Sequence, residues 1–317
     1  MSALAELTDS LTRRAAIGAE DVLAMRRLIW NDTQVSSEEA EAIMALNSAC
    51  QLRSPEWIDY FVEVMLDYIV HQQVPQDYVD QAKADRLMHW IDKDGRVDSL
   101  SELELLIRIL ERAESAPESL KKYALQQIET AVLTGSGPTR QAGEFGGGAL
   151  DPGSINAVEV ELLRRILYAQ SGADAYIVSA SEAEMLFRMK DATLRADNAP
   201  VWDDLFVKGV ANHLMAHRNY QTLSHDDQVK VERYEADTHV SLGRFFGRMF
   251  GQGGAELPAA AMGISTQMND EAAAAVDHAV TPQETQWVIG QIRADGRYDT
   301  LEKKLIAFIR AEMTSSL

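Results

Sequence analysis

The chain lacks several features that would define a compartment or a chemistry. Cys50 is its single cysteine, so no disulfide can form within the chain and no zinc or iron–sulfur site can be built from its cysteines. No segment approaches the roughly 20 apolar residues that a membrane-spanning helix needs. Residues 1–14 carry acids and no long apolar run, unlike a signal peptide. These absences predict a protein of the reducing cytoplasm, without a transmembrane segment.

Basic residues are few compared with acidic ones. The sequence has 30 Lys and Arg against 49 Asp and Glu, which gives a formal net charge of -19. Such a charge repels phosphate backbones, so we expect no nucleic-acid partner. The same charge attracts cations or a basic protein partner, although solubility alone is the alternative explanation for it.

Motifs for nucleotide binding and for nucleophilic catalysis are absent as well. There is no P-loop, no GxGxxG and no GxSxG, and GEFGGG at 143–148 follows no predicted strand. Alternation with a period of two is not seen either. Apolar residues instead recur at intervals of three and four, as in Val22, Met25, Leu28 and Ile29. The pattern predicts an all-α fold.

An internal duplication is visible when the two halves are compared. Four segments of the first half have a counterpart in the second half, and their order is the same. The matched pairs are VLAMRRLIW (22–30) with VELLRRILY (160–168), VSSEEAEAIMALNSA (35–49) with VSASEAEMLFRMKDA (178–192), PEWIDYFV (55–62) with PVWDDLFV (200–207), and DGRVDSL (94–100) with DGRYDTL (295–301).

The duplication predicts two tandem helical modules. The first module spans residues 1–134 and the second spans residues 155–317. Gly, Pro and Ser dominate residues 135–154, which predicts a flexible Gly-rich linker between the modules. The spacing of the matched segments places an insertion at about 218–280 in the second module.

Each module carries two short acidic turns that precede a helix. In every turn a Ser or Asp is followed three residues later by Glu, which is the pattern of a capping box. The four predicted boxes pair Ser36 with Glu39, Ser99 with Glu102, Ser179 with Glu182, and Asp299 with Glu302.

Two of these turns carry a family resemblance. The sequences WIDKDGRVDSLSELELLIRIL and IRADGRYDTLEKKLIAFI resemble the helical module of the TerB-like (tellurite-resistance B-like) proteins. The resemblance implies an all-α fold, present here in two copies, with acidic residues around the DG turns. It also implies divalent-cation binding and a role in bacterial stress-response or membrane-associated complexes.

The acidic turns are the first candidate for a metal site. Carboxylate oxygens suit Ca²⁺, Mg²⁺ or Mn²⁺. The alternative is that these acids cap helices and favour the positive end of the helix dipole. An EF-hand does not fit, because counting from Asp92 puts Val97 at position six and Leu103 at position twelve. The candidate ligands are Asp92, Asp94, Asp98 and Glu102 in the first module and Asp295, Asp299 and Glu302 in the second.

A second candidate is a transition-metal site, for Zn²⁺, in the second module. His213 and His217 lie four residues apart, and Glu235 and His239 repeat that spacing. Four such side chains can form a site between two helices. The Glu of an HExxH motif is absent, so zinc-protease chemistry is not indicated. Solvated helix histidines are the alternative.

The third candidate is a docking segment in the insertion, VSLGRFFGRMFG at 240–251. Its basic and aromatic residues suit a partner groove or peripheral contact with a membrane surface. Packing on its own domain is the alternative. The residues concerned are Arg244, Phe245, Phe246, Arg248, Met249 and Phe250.

Together these features favour a non-enzymatic, acidic binding or regulatory protein with a protein partner and modulation by divalent cations. A metal-dependent enzyme built on the His and Glu residues of the second module is one alternative. A structural subunit of a bacterial assembly is the other.

Overall fold

The fold is described by a computed structural model for residues 3–29, 34–92, 97–140, 152–169, 176–215, 282–294 and 298–315. Within these ranges the chain forms twelve α-helices and two strands of two residues each. The predicted all-α class is therefore confirmed. No helix in the described ranges combines the length and the apolarity needed to cross a bilayer.

The described residues divide into two compact units. The first unit comprises the residues up to Pro152 together with 161–176, and the second comprises 153–160 and the described residues from 177 onward. This grouping differs from the predicted module boundary at residue 155. A physical reason is Arg165, whose buried guanidinium binds Glu104 at 2.7 and 2.8 Å and Glu111 at 2.7 and 3.0 Å, both in the first unit.

Seven helices and the two strands belong to the first unit. The strands pair in parallel, Ala16 with Leu52 and Ile17 with Arg53. A π-helix continues directly from the fourth α-helix. The bounds are α1 (Ala3–Arg14), β1 (Ala16–Ile17), α2 (Ala19–Ile29), α3 (Ser37–Ala49), β2 (Leu52–Arg53), α4 (Pro55–Leu66), the π-helix (Asp67–Gln72), α5 (Gln81–Ile91), α6 (Leu100–Arg112) and α7 (Glu118–Thr134).

Helix α6 is the centre of the first unit. Its residues 100–107 are all buried, because apolar side chains surround the helix and α4 and α7 pack against it. The same burial encloses Ser101, Glu102 and Glu104. Buried polar groups need hydrogen-bond partners, so α6 requires polar side chains from neighbouring helices.

The first residues of the predicted linker are ordered at the end of α7. Gly135 ends α7 with a φ of 72°, the left-handed conformation that glycine adopts without strain. The chain then forms a short 3-10 helix, Pro138–Arg140, whose residues are buried and contact α6 and α7. The first residues of the predicted linker are therefore folded against α6 and α7, residues 141–151 lie outside the described ranges, and the flexible linker stays a prediction.

The remaining helices follow the order of the first five helices after α1. Helix α10 packs against α9 and α12 in the second unit. The pairs α2 and α8, α3 and α9, α4 and α10, α5 and α11, and α6 and α12 fall on or beside the matched segments, although the duplication itself stays a prediction. The bounds are α8 (Ala157–Leu167), α9 (Ala180–Thr193), α10 (Val201–Met215), α11 (Pro282–Ala294) and α12 (Thr300–Ser315). The predicted insertion at 218–280 lies outside the described residues.

Candidate functional site at the helix N-caps

The four predicted helix caps are all present. Each cap side chain accepts a hydrogen bond from the backbone N–H three residues later, and the Glu at that position accepts one from the backbone N–H of the cap. These bonds satisfy donors that the first turn of a helix otherwise leaves unpaired. The pairs are Ser36 with Glu39, Ser99 with Glu102, Ser179 with Glu182, and Asp299 with Glu302.

A valine lies one or two residues before three of the caps, and its backbone N–H donates a hydrogen bond to a residue far away in sequence. In each case an amide side chain of another segment accepts the hydrogen bond, at 2.8 to 3.0 Å. The cap turns are therefore fixed both by local bonds and by neighbouring residues far away in sequence. The pairs are Val35 with Gln72, Val97 with Gln127, and Val178 with Asn212.

A buried network, which we call the amide cluster, surrounds the cap of α6. It consists of Asn47, Trp57, Ser99, Ser101 and Glu102, none more than 2% exposed. The Asn47 carbonyl oxygen accepts from Trp57 Nε1 at 3.1 Å and from the Ser101 hydroxyl at 2.8 Å. Its amide nitrogen donates to Ser99 Oγ and to Glu102 Oε1, both at 3.3 Å. Asn47 thus uses both ends of its amide group.

Glu102 is the ionisable group at the centre of the amide cluster. Burial raises the pKa of its carboxyl, and the hydrogen bond from Ser99 and the charge of Arg53 only partly oppose this. Arg53 itself donates to the Asn47 backbone carbonyl, at 3.0 Å from Nε. The carboxyl is therefore held mainly by neutral donors, with a cation nearby but no direct ion pair among the described contacts.

A second network, the lysine cluster, surrounds the cap of α12. Lys190, which is 1% exposed, places its ammonium 2.6 Å from Asp299 Oδ2, 2.6 Å from Glu302 Oε1 and 2.7 Å from Asp191 Oδ1. Burial alone lowers the pKa of a lysine, but these three hydrogen bonds outweigh burial and raise the pKa of Lys190. A protein cation therefore occupies the centre of this acidic group.

The amide cluster and the lysine cluster use different residues at matched sequence positions. Asn47 and Lys190 occupy the same place in segments 35–49 and 178–192, and Trp57 and Trp202 do so in the next pair of matched segments. Trp57 finds an acceptor in Asn47. Trp202 is fully buried, and its Nε1 has no hydrogen-bond partner among the described residues. A lysine offers donors only, so it cannot replace the amide oxygen.

The acidic residues predicted as metal ligands in the first module differ in burial and in their contacts. Asp92 is half-buried at the C-terminal end of α5, Asp98 is exposed, and Glu102 is buried in the amide cluster. Asp94 lies outside the described residues. The Glu102 carboxylate accepts hydrogen bonds from the Ser99 N–H of the cap and from the Asn47 amide.

In the second module two predicted ligands do come together, around a lysine. Asp299 and Glu302 both contact Lys190, and Asp295 lies outside the described ranges. Across the described residues there is no group of three or more His, Cys, Asp and Glu side chains arranged to hold a metal ion. The cation site at the acidic turns stays a prediction, and in the second turn Lys190 supplies the positive charge.

His213 is the only transition-metal candidate that the described ranges contain. It lies half-buried on α10, with Nδ1 2.9 Å from the Val178 carbonyl and its ring centroid 5.0 Å from that of Trp287. A carbonyl only accepts, so Nδ1 carries the proton and Nε2 of the neutral ring does not. His217, Glu235 and His239 lie outside the described residues, as do Arg244, Phe245, Phe246, Arg248, Met249 and Phe250.

Sequence reasoning missed Asn47 and Lys190, the residues that organise the two clusters. A signal was present, because each is a polar residue among apolar helix positions, Lys190 next to Met189 and Asn47 next to Leu46. Such a residue on a buried helix face needs a polar partner. The identity of that partner is not readable from local sequence, since Glu102 and Glu302 are far away along the chain.

Comparisons of the chain with protein-family models, curated proteins and solved structures found no match. The resemblance to TerB-like proteins thus rests on the turn motifs alone and stays a prediction.

Proposed function

We propose that this chain is a non-enzymatic helical binding protein whose acidic surface engages a basic protein partner, in a regulatory role similar to that of TerB-like proteins. The observation that carries the proposal is the way Lys190 fills the acidic group at the α12 cap. Carboxylates that could have formed a reactive or metal-binding centre there are instead satisfied by a protein cation. Their role is to fix the helix start.

Buried acidic residues have a structural role in this proposal, and exposed acidic residues attract the partner. Glu102, Glu104 and Glu302 are buried and hydrogen-bonded within the protein. Glu38 and Glu41 on α3 are exposed. With a formal charge of -19, exposed carboxylates attract a basic partner over a distance that salt shortens. Binding driven in this way weakens steeply as the ionic strength rises.

A binding experiment with defined peptides tests the proposal. The probe is a synthetic peptide built from Lys and Leu, compared with a peptide built from Glu and Leu, each titrated into the full chain by calorimetry. We expect the basic peptide alone to bind, and its affinity to fall at least tenfold between about 0.01 and 0.15 M salt, where the Debye length drops from about 30 to about 8 Å. Failure of the basic peptide to bind at low salt would contradict the proposal.

Modulation by divalent cations belongs to the first acidic turn in this proposal. Asp92 and Asp98 flank that turn in sequence, whereas Asp299 and Glu302 already form ion pairs with Lys190. Calcium is therefore expected to raise the melting temperature of the native chain and of Asp299→Asn, but not that of Asp98→Asn. The same response in all three proteins would place the cation elsewhere and remove this part of the proposal.

One observation favours the metal-dependent enzyme as a second candidate. The hydrogen bond from His213 Nδ1 to Val178 leaves Nε2 as an acceptor, which is how many metal-ligating histidines are oriented. Metal analysis of the purified chain tests this directly. Stoichiometric zinc that is lost in a His213→Ala, His217→Ala double variant would support the enzyme, and a native chain without zinc would exclude this site.

A further inference from the structure

A short loop of the first unit presents apolar side chains to solvent. It follows the π-helix at Asp67–Gln72, an uncommon element that is often found near functional sites. Val74 is 86% exposed, Tyr78 is 44% exposed and Pro75 is also exposed. We call these three residues the tip. An exposed apolar group of this kind marks a contact surface more often than a single exposed side chain does.

The tip is held in place by a buried lysine. Lys83 on α5 is 3% exposed, and its ammonium donates to three backbone carbonyls of this one loop. The distances are 2.9 Å to Gln73, 2.6 Å to Pro75 and 2.8 Å to Tyr78. Burying a lysine is unfavourable unless its donors are satisfied, so the three carbonyls and the lysine fix one another.

Hydrogen bonds on the other side of the loop complete its support. The Asp77 N–H donates to the Val70 carbonyl at 2.7 Å, and the Asp77 carbonyl accepts from the Glu114 N–H at 2.8 Å. The Val79 N–H donates to the Ser115 carbonyl at 2.8 Å. A loop supported at both ends and from beneath loses little conformational freedom on binding, which is the condition for preorganised recognition.

Acidic side chains surround the tip. Asp80 and Glu114 are exposed and Asp77 is half-buried. The Glu114 carboxylate near the Tyr78 hydroxyl raises the pKa of Tyr78. Asp77 also contacts His71 at 2.6 Å. The Lys83 ammonium is directed inward to the loop carbonyls. The exposed Arg86 on α5 lies nearby and His71 pairs with Asp77, so the three carboxylates leave the rim negative on balance. The tip therefore combines an apolar centre with an acidic border.

We propose that the tip formed by Val74, Pro75 and Tyr78 is the docking point for a basic protein segment that carries an apolar side chain between its Lys or Arg residues. This inference rests on the proposed function and names where the partner binds. The apolar side chain packs on Val74 and Tyr78, while the basic residues face Asp77, Asp80 and Glu114. The rim contributes mainly to encounter and orientation, and the apolar contact contributes to affinity.

Two peptides of equal charge separate these contributions. One is built from Lys and Leu and the other from Lys and Ser, and both are titrated into the native chain and into Val74→Ser. We expect Val74→Ser to weaken the Lys–Leu peptide about tenfold, which corresponds to the loss of one buried apolar side chain, and to leave the Lys–Ser peptide unchanged. Leu23→Ser is the matched control, since Leu23 is 58% exposed on α2 of the same unit.

The outcomes distinguish this inference from the proposed function. If Val74→Ser and Leu23→Ser both bind the Lys–Leu peptide within about twofold of the native affinity, the docking point is overturned. The proposed function as an acidic binding protein would remain. No binding to the native chain at low salt would overturn both. Lys83→Met gives an independent check, because releasing the three loop carbonyls is expected to speed amide hydrogen exchange of the loop and to weaken the Lys–Leu peptide as well.

Discussion

Helices α3 and α9 carry different residues at the same matched position, Asn47 and Lys190, and each reaches the cap of a later helix. Asn47 donates to the Glu102 carboxylate and accepts from Trp57. Lys190 collects carboxylates and can accept nothing. One helix start is thus fixed by neutral hydrogen bonds, and the other by buried ion pairs.

The difference shows that a capping box does not determine which side chains surround the carboxylate of its Glu. Both Glu102 and Glu302 perform the same local task, since each accepts a backbone N–H at its cap. The residue that meets the carboxylate from the facing helix then decides whether the carboxyl is neutralised. A carboxylate with a buried cation is costly to disturb, whereas one held by amides and hydroxyls is more tolerant.

Among the changes that test this comparison, removal of Lys190 is expected to have the largest effect on stability. Lys190→Met would leave Asp299 and Glu302 without their cation, and we expect the free energy of unfolding of the second unit to fall by about 3–5 kcal/mol. Urea denaturation followed by tryptophan fluorescence measures it. Lys303→Met is the control, because Lys303 is exposed on α12, the helix that carries Glu302. Its loss, including its contact with the Tyr298 ring, should change stability by less than about 1 kcal/mol. Equal effects of the two variants would contradict the buried ion pairs.

The two tryptophans offer a smaller contrast. Trp57→Phe removes both ring volume and the hydrogen bond to Asn47, whereas Trp202→Phe removes ring volume and an N–H group that has no partner in the described part of the chain. Trp57→Phe is therefore expected to cost about 1 kcal/mol more than Trp202→Phe. Denaturant midpoints of the two variants measure the difference, and a larger cost for Trp202→Phe would count against the pairing.

The pH dependence of Glu102 gives the smallest expected effect. Burial raises the pKa of its carboxyl, so folding favours the protonated form. The stability that this form provides is fully present below the unfolded pKa of about 4.3 and is lost as the pH rises through the higher folded pKa. Native stability relative to Glu102→Gln should therefore decline from pH 4 toward neutrality. An increase in the stability of the native chain relative to Glu102→Gln over this pH range would contradict the expected direction.

The helix starts are the part of the structure that sequence predicted best. A capping box involves residues three positions apart, so Ser36 with Glu39 or Ser179 with Glu182 is readable from a few letters. The start of the linker was not readable in this way. Composition indicates flexibility for 135–154, but Pro138–Arg140 is buried against α6 and α7, and burial depends on the folded neighbours.

The candidate sites depended on contacts that local sequence does not contain. A run of acids reads as a metal site whether its cation is an ion or a lysine from a distant helix, and Lys190 lies more than 100 residues before Glu302. The support of the tip by Lys83 likewise depends on three backbone carbonyls, and every residue type has such a carbonyl, so sequence does not identify them. Sequence therefore located the capped turns but not the residues that complete them.

Two double-mutant cycles test most directly whether the matched positions use different chemistry. One cycle combines Lys190→Met with Glu302→Gln, and the other combines Asn47→Leu with Glu102→Gln, with free energies of unfolding measured by urea denaturation. We expect a coupling of about 2–3 kcal/mol between Lys190 and Glu302, and of less than about 1 kcal/mol between Asn47 and Glu102. Couplings of equal size in the two cycles would contradict the distinction between the lysine cluster and the amide cluster.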